Sequence, residues 1–236
     1  MMAEKEEGIV LSTVRYGDRG VVVNTLTRSS GRRGYMASAG RRGLGAALAP
    51  LTSLEFVGKG RRAGQMWRMG DVRLARPFRS IPFDPVLRAE AFFVAELLCR
   101  AVPADVPDPE LFDFVSGAVA ALDSGLEGRC NFHLFFMMRL TELLGFAPDT
   151  SRRGMPTFDM AAGSWAAAPP PHPDSVCGRL ADLWEALSTV GLGDLAQVAM
   201  SRAERREMVR LMSRYYQLHQ PGFSPLKSQD VLSQLI

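Results

Sequence analysis

The chemistry available to this chain is limited by its histidines. There are three, His133, His172 and His219, each far from the others in sequence. A hydrolase needs a nucleophile, a base and a group that orients the base. No G-x-S-x-G elbow, H-E-x-x-H pair or Walker lysine loop supplies such a set. His133 lies in an apolar helical stretch and reads as a core histidine. His172 and Cys177 make two metal ligands where a structural zinc site takes four. The reading is no enzyme, no metal and no cofactor.

What remains is arginine. Three pairs, Arg32-Arg33, Arg41-Arg42 and Arg61-Arg62, fall within about thirty residues, with Lys59 beside the last pair and Arg15 upstream. Grouped cations of this kind suit a polyanion. The string "SGRRGYMASAGRRGLGAAL" invites a phosphate-loop reading, but the lysine and the Ser/Thr of a P-loop are missing. Arg41 and Arg42 still stand at a loop-to-helix junction, where a phosphate is well received. Single-strand binding also needs aromatic platforms. Tyr16, Tyr35, Phe56, Trp67 and Phe78 are the candidates; most should fill a small barrel, leaving one or two to stack on bases.

The charge distribution points the same way. The net charge of +3 hides a basic first third: residues 1–82 hold 15 Lys and Arg against 6 Asp and Glu, a balance of +9, and the remainder stands at −6. Arg in place of Lys fits a chain encoded by GC-rich DNA, but that bias does not explain why the excess is confined to the first third. The opening "MMAEKEEG" is unlike a signal peptide. No 18-residue apolar run suggests a membrane span. Three scattered cysteines form no disulfide framework, and a reducing cytoplasm is the expected location.

The elements that must position the arginines follow from periodicity. "GIVLSTVRY" and "GVVVNTLTRS" are β-branched strands around the turn "GDRG". "RRGYMASA" gives a third strand, "TSLEFVGK" a fourth, and "QMWRMGDVRLARPF" a fifth with Gly70 as a bulge or bend. A short helix over "GLGAALAPL" should join strands three and four. Five strands with a helix between the third and fourth give an OB-fold barrel, though periodicity alone also permits an SH3-like barrel. After Pro82 the pattern turns helical. Asp84-Pro85 and Asp108-Pro109 are N-caps followed by Pro at N1. The first of these helices should bury Leu87, Phe92, Val94, Leu97 and Leu98. Phe132 to Leu144 form another, closed by Gly145, and Ser201-x-x-Glu204 is a capping box. Residues 148–174 are rich in proline and read as a loop-rich excursion, with a hairpin turning at Gly163 and Phe158 and Trp165 buried. The tail "LHQPGFSPLKSQDVL" breaks a helix at Pro221-Gly222, and Phe223, Leu226, Val231 and Leu232 should fold it back onto a core. The expected organisation is α+β: an OB-fold domain over 1–82 and a helical domain over 83–236, interrupted by the 148–174 excursion.

In this order the segments resemble the bacterial recombination mediator family RecO along essentially the whole chain. "EGIVLSTVRYGDRGVVVNTLT" is similar to that family's first hairpin and "GYMASAGRRG" to its third strand and basic loop. "FFVAELL" and "LTELLGFAPD" are similar to helical segments, and "YYQLHQPGFSPLKSQDVL" to the C-terminal signature. The resemblance implies a non-enzymatic mediator that binds single- and double-stranded DNA. It implies annealing of strands coated with single-strand-binding protein (SSB), and work with RecR to load RecA. The nucleic-acid-binding candidates, chosen by their grouping in the basic first third, are Arg15, Arg32, Arg33, Arg41, Arg42, Lys59, Arg61 and Arg62. Arg129 and Arg139, beside Phe132, Phe135 and Phe136, are candidates for holding the acidic, apolar SSB tail. Many members carry a four-cysteine zinc module where this chain has its cysteine-free excursion, so it resembles the zinc-free branch. A generic OB-type nucleic-acid-binding protein, its helical domain serving another assembly, is the alternative.

Overall fold

A computed structural model describes residues 2–17, 20–38, 47–60 and 66–235. They form two compact units, residues 1–124 and 125–236.

The first unit is built on five strands: β1 (Met2–Tyr16), β2 (Gly20–Thr27), β3 (Gly31–Ser38), β4 (Ser53–Gly60) and β5 (Trp67–Arg76). They close into a barrel in the order β1-β2-β3-β5-β4. All pairings are antiparallel except β3 with β5. This is the OB-fold topology, which settles the choice against an SH3-like barrel. Residues 43–46 of the expected linking helix lie outside the described residues; Ala47 and Leu48 pack into the barrel core. That core is Val10, Val23, Tyr35, Ala37, Leu54, Phe56 and Met69, drawn from alternate positions of every strand.

Strand β1 begins at Met2 rather than at Gly8 as its apolar stretch suggests. Residues 2–9 pair with β4 and residues 8–16 with β2, so one long strand serves two neighbours. Its charged start hid it: "EKEE" does not look like a strand, yet Glu6 is buried in the barrel. The Ser29 hydroxyl donates to its carboxylate, as does that of Ser30 at 2.6 Å, with Tyr35 Oη at 3.5 Å. A buried carboxylate is tolerable only when so provided. Burial, and secondarily the charge of Glu6, push the Tyr35 phenol up to about 12, so its hydroxyl stays a donor. The β5 bulge falls one residue beyond Gly70. The β4 register jumps from Val57–Gly70 to Glu55–Arg73, and Asp71 takes a φ of +50°.

Two helices complete the first unit. Helix α1 (Pro85–Ala101) packs on β1, and α2 (Pro109–Asp123) follows. Asp84 accepts from the Val86 and Leu87 amides at 2.8 and 3.3 Å, and Asp108 from Leu111 at 2.9 Å, so both expected caps are present. In α1 Phe93 is buried, while Phe92, expected with the core residues of this helix, is 57% exposed. A helix apolar on most sides leaves the choice between adjacent phenylalanines to its packing partner.

The second unit opens with a 3₁₀ turn, Arg129–Asn131, that leads into α3 (Phe132–Leu143). Gly145 ends the helix at φ +81°. Three short strands, β6 (Thr157–Asp159), β7 (Ser164–Ala166) and β8 (Ser175–Cys177), form a small sheet in the order β7-β6-β8. Gly163 lies in the β6–β7 turn, as expected; β8 was not foreseen. The sheet is held by aromatic packing: Phe158 meets Trp184 at 4.8 Å and Trp165 at 5.1 Å, and Trp184 meets Tyr215 at 5.5 Å. Helices α4 (Arg179–Thr189), α5 (Arg202–His219) and α6 (Ser228–Leu235) follow. The Ser201–Glu204 capping box is complete, and His133 is buried in α3. In the tail, Phe223, Leu226 and Leu232 are buried, but Val231 faces solvent. Arg206 Nε donates to the Ser233 carbonyl at 2.9 Å, and Arg202 to that of Gln234, which together pin the end of α6.

One carboxylate fastens the chain where it leaves the barrel. Asp123, at the end of α2, accepts the backbone N–H groups of Arg79, Ser80 and Ile81 at 2.7, 2.9 and 2.9 Å. Burial works against its charge, and the three amides outweigh burial, so its pKa lies below the usual value. Asp123→Ala should cost about 2–3 kcal/mol in urea unfolding, since three donors lose an ionised partner. Because the folded pKa is depressed, the carboxylate's contribution is complete above the unfolded value of about 4 and is lost as pH falls through the folded pKa. Asp123→Asn should lose that acid-dependent part.

Candidate nucleic-acid interface

The outer face of β1, β2 and β3 is defined by register. Val14 lies opposite Val22, Val22 opposite Met36, Met36 opposite Arg68, and Arg68 opposite Lys59. One row thus crosses the barrel, apolar over three strands and cationic over the next two. The adjoining row is Tyr16, Gly20 and Ser38. On the other side Asn24 Nδ2 donates to Ser12 Oγ at 2.8 Å, with Gly34 next to Asn24. Tyr16 is 64% exposed and Val14 58%. In an OB barrel this is the face that meets oligonucleotides, flanked by the β1–β2 and β4–β5 connections.

Electrostatics separates this face from the other side of the barrel. Ser12, Val14, Tyr16, Val22, Asn24, Gly34, Met36 and Ser38 include no acid. On the β1–β4–β5 side Glu7 stands directly opposite Glu55, and Asp71 lies on the same wall. That wall is of mixed charge, with Lys5 and Arg73 beside the three carboxylates. Cations border the uncharged platform: Arg15 is exposed near the tip of the first hairpin, and Lys59 and Arg68 end the long row.

The sequence-selected arginines divide by what they touch. Arg41, Arg42, Arg61 and Arg62 lie outside the described residues. Arg32 and Arg33 lie on β3 itself, and both are engaged. Arg32 Nε donates to the Val102 carbonyl at 2.7 Å. Arg33 pairs with Asp105 at 2.6 Å and lies over the Trp67 ring at 4.9 Å. Burial opposes the Arg33 charge, but the hydrogen bond and charge of Asp105, together with Tyr35, outweigh it and raise its pKa. Arg28, similarly, pairs with Asp113 and stacks on Phe112 at 4.8 Å. In contrast Arg68, Arg73, Arg76 and Arg79 are exposed, with no ion-pair partner among the described residues. The pairs drew the sequence reading, while these four, spaced along "WRMGDVRLARPFR", were missed. Their signal was an arginine every three to five residues along an edge with little apolar alternation.

Of the five candidate aromatics, Tyr35 and Phe56 are core and meet at 4.9 Å. Trp67 and Phe78 are half-buried, and Tyr16 alone projects from the platform. In the second unit, Arg129 is exposed and Arg139 pairs with Glu142 at 2.7 Å. The neighbouring Phe132, Phe135 and Phe136 are buried and offer no apolar surface to a ligand. No three His, Cys, Asp or Glu side chains among the described residues are placed to hold a metal ion.

This division has a stability signature. Arg33→Ala should destabilise the protein by about 1 kcal/mol in urea unfolding, because it removes an ion pair and a ring contact together. Arg68→Ala and Arg73→Ala should each change stability by less than about 0.5 kcal/mol.

Comparison with known proteins gives two family matches: Recombination protein O N terminal over residues 1–78, and Recombination protein O C terminal over residues 82–230. The chain is 33% identical to a DNA repair protein RecO of Phocaeicola vulgatus over 240 residues, covering 99% of each. It is 32% identical to one of Bacteroides fragilis over 246 residues, again 99% of each. A third, from Porphyromonas gingivalis, is 30% identical over 236 residues and 96% of each. The full-length resemblance read from the hairpins, helical segments and tail therefore holds, and the chain belongs to the RecO family.

Proposed function

We propose that this chain is a non-enzymatic DNA repair and recombination mediator. It binds single- and double-stranded DNA through the barrel and anneals complementary strands coated with SSB. With RecR it assists the loading of RecA, in a bacterial cytoplasm and at the nucleoid. Family membership supports the repair role, as do the names of the full-length relatives. The observation that carries the DNA reading is the acid-free outer face of β1–β2–β3, with Tyr16 projecting and Arg15, Arg68 and Lys59 at its border. Among the described residues no helix is long and apolar enough to cross a membrane.

The chemistry follows from that face. Annealing requires two polyanions to approach, so cations must offset strand–strand repulsion while bases stay open to pairing. Backbone phosphates at Arg15, Arg68, Lys59 and the pairs Arg41-Arg42 and Arg61-Arg62 supply affinity without sequence information. Tyr16 and the Val14–Val22–Met36 strip offer stacking and apolar contact, which accept any base. Nothing in this scheme consumes nucleotide. Arg32 and Arg33 take part only to the extent that their internal partners release them. SSB would be held on the helical unit through its acidic tail at Arg129 and Arg139, with the apolar anchor drawn from residues other than the buried phenylalanines.

The test is annealing of complementary oligonucleotides pre-coated with cognate SSB, without nucleotide. The protein should accelerate it, and removal of the SSB tail should abolish the acceleration. Tyr16→Ala should weaken single-strand binding about tenfold, the loss expected of one stacking side chain, with unchanged thermal stability. Binding to bare DNA with no effect on coated strands would instead mark a generic OB-type binding protein.

A further inference from the structure

Asp105 holds Arg33 in the manner of a phosphate. Its Oδ1 lies 2.6 Å from Arg33 Nε, while the guanidinium rests on the Trp67 ring. The two partners differ in freedom. The Arg33 side chain is 19% exposed and braced by the ring, whereas that of Asp105 is 62% exposed. The base is fixed, and the acid is wet and free to turn away. Arg33 also lies two residues before the β3–β5 junction at Tyr35–Trp67.

The carboxylate is not what holds its own loop. The Asp105 amide donates to the Arg32 carbonyl at 2.9 Å, and Arg32 Nε donates to Val102. Val106 packs so closely that a Cβ on Gly31 would lie 2.1 Å from its carbonyl oxygen. The segment is thus docked by its backbone, and the side chain is left over for Arg33. Asp105 has a φ of +57°, a conformation that Asp, Asn and Gly adopt at least cost.

We propose that Asp105 is a built-in competitor for a DNA phosphate at Arg33. In the free protein its carboxylate neutralises the guanidinium; on binding, a backbone phosphodiester takes that place and Asp105 turns to water. The exchange replaces one monoanion by another on a guanidinium already in position. It lowers affinity for bare backbone and lets strands leave, which an annealing protein requires. The inference rests on the barrel being the DNA-binding unit.

The experiment is fluorescence anisotropy of a labelled single-stranded oligonucleotide between about 50 and 200 mM salt, where phosphate contacts dominate the salt dependence. The full-length proteins compared are wild type, Asp105→Asn, Arg33→Ala and the double variant. Asp105→Asn keeps shape and backbone preference, and Asp105→Gly is the second choice should it fold poorly. Asp105→Asn should bind about three- to tenfold tighter at low salt, the range of one uncovered charge, and its salt slope should steepen by about 0.7 for one more phosphate neutralised. In the Arg33→Ala background the gain should vanish. An unchanged affinity and slope would overturn the proposal, as would a gain that persists without Arg33, which would be a general charge effect. Absence of binding by wild type and every variant would sink the DNA reading of the barrel itself, and this inference with it.

Discussion

The structure depends on how the β3 edge that faces β5 is covered. Among the described residues the two strands meet in two register pairs, Tyr35–Trp67 and Met36–Arg68, and neither involves the start of β3. An open edge invites pairing with another chain and must be covered. The segment after α1 covers it: Ala104 bridges Arg32, the Asp105 amide reaches the Arg32 carbonyl, and Val106 lies on Gly31. The helices are therefore part of the barrel's closure, and α1 and α2 belong with it in one compact unit. Asp123 makes the complementary fastening where the chain exits toward those helices.

The same closure sorts the arginines. Those near the covered edge, Arg28, Arg32 and Arg33, have carboxylate, carbonyl or ring partners; those along β5 have none among the described residues. The basic first 82 residues, with a balance of +9, thus keep part of their charge for internal partners and present the rest. Arg15, Lys59 and Arg68 lie beside an uncharged face, while Arg73 shares its wall with Glu7, Glu55 and Asp71. Affinity for a phosphate backbone without a base code follows from that arrangement. A protein that must bring any two complementary strands together needs both properties.

Much of the fold was legible because it is specified locally. Turns at Gly-rich breaks, Asp-Pro helix starts, the Ser201–Glu204 box and the Pro221-Gly222 stop are decided within a few residues, and the strand alternation revealed a small barrel. Features set by partners distant in sequence were not legible. Arg33 meets Asp105 seventy-two residues away, so a surface pair in sequence proved to be half structural. Glu6 hid a strand because its hydroxyl partners, Ser29 and Ser30, come from another turn. Phe92 and Val231 stayed exposed because adjacent apolar residues are told apart only by the surface against which they pack. The family resemblance reached further than local reading, since it rests on the order of many weak segments together.

The central claim is that the outer face of β1–β2–β3 carries the nucleic acid. Amide hydrogen exchange with and without single-stranded DNA tests it directly. Slowed exchange in residues 14–16, 20–24 and 34–38, with residues 125–236 unchanged, is the predicted result. Slowing confined to residues 125–236 would contradict it and move the DNA site to the helical unit.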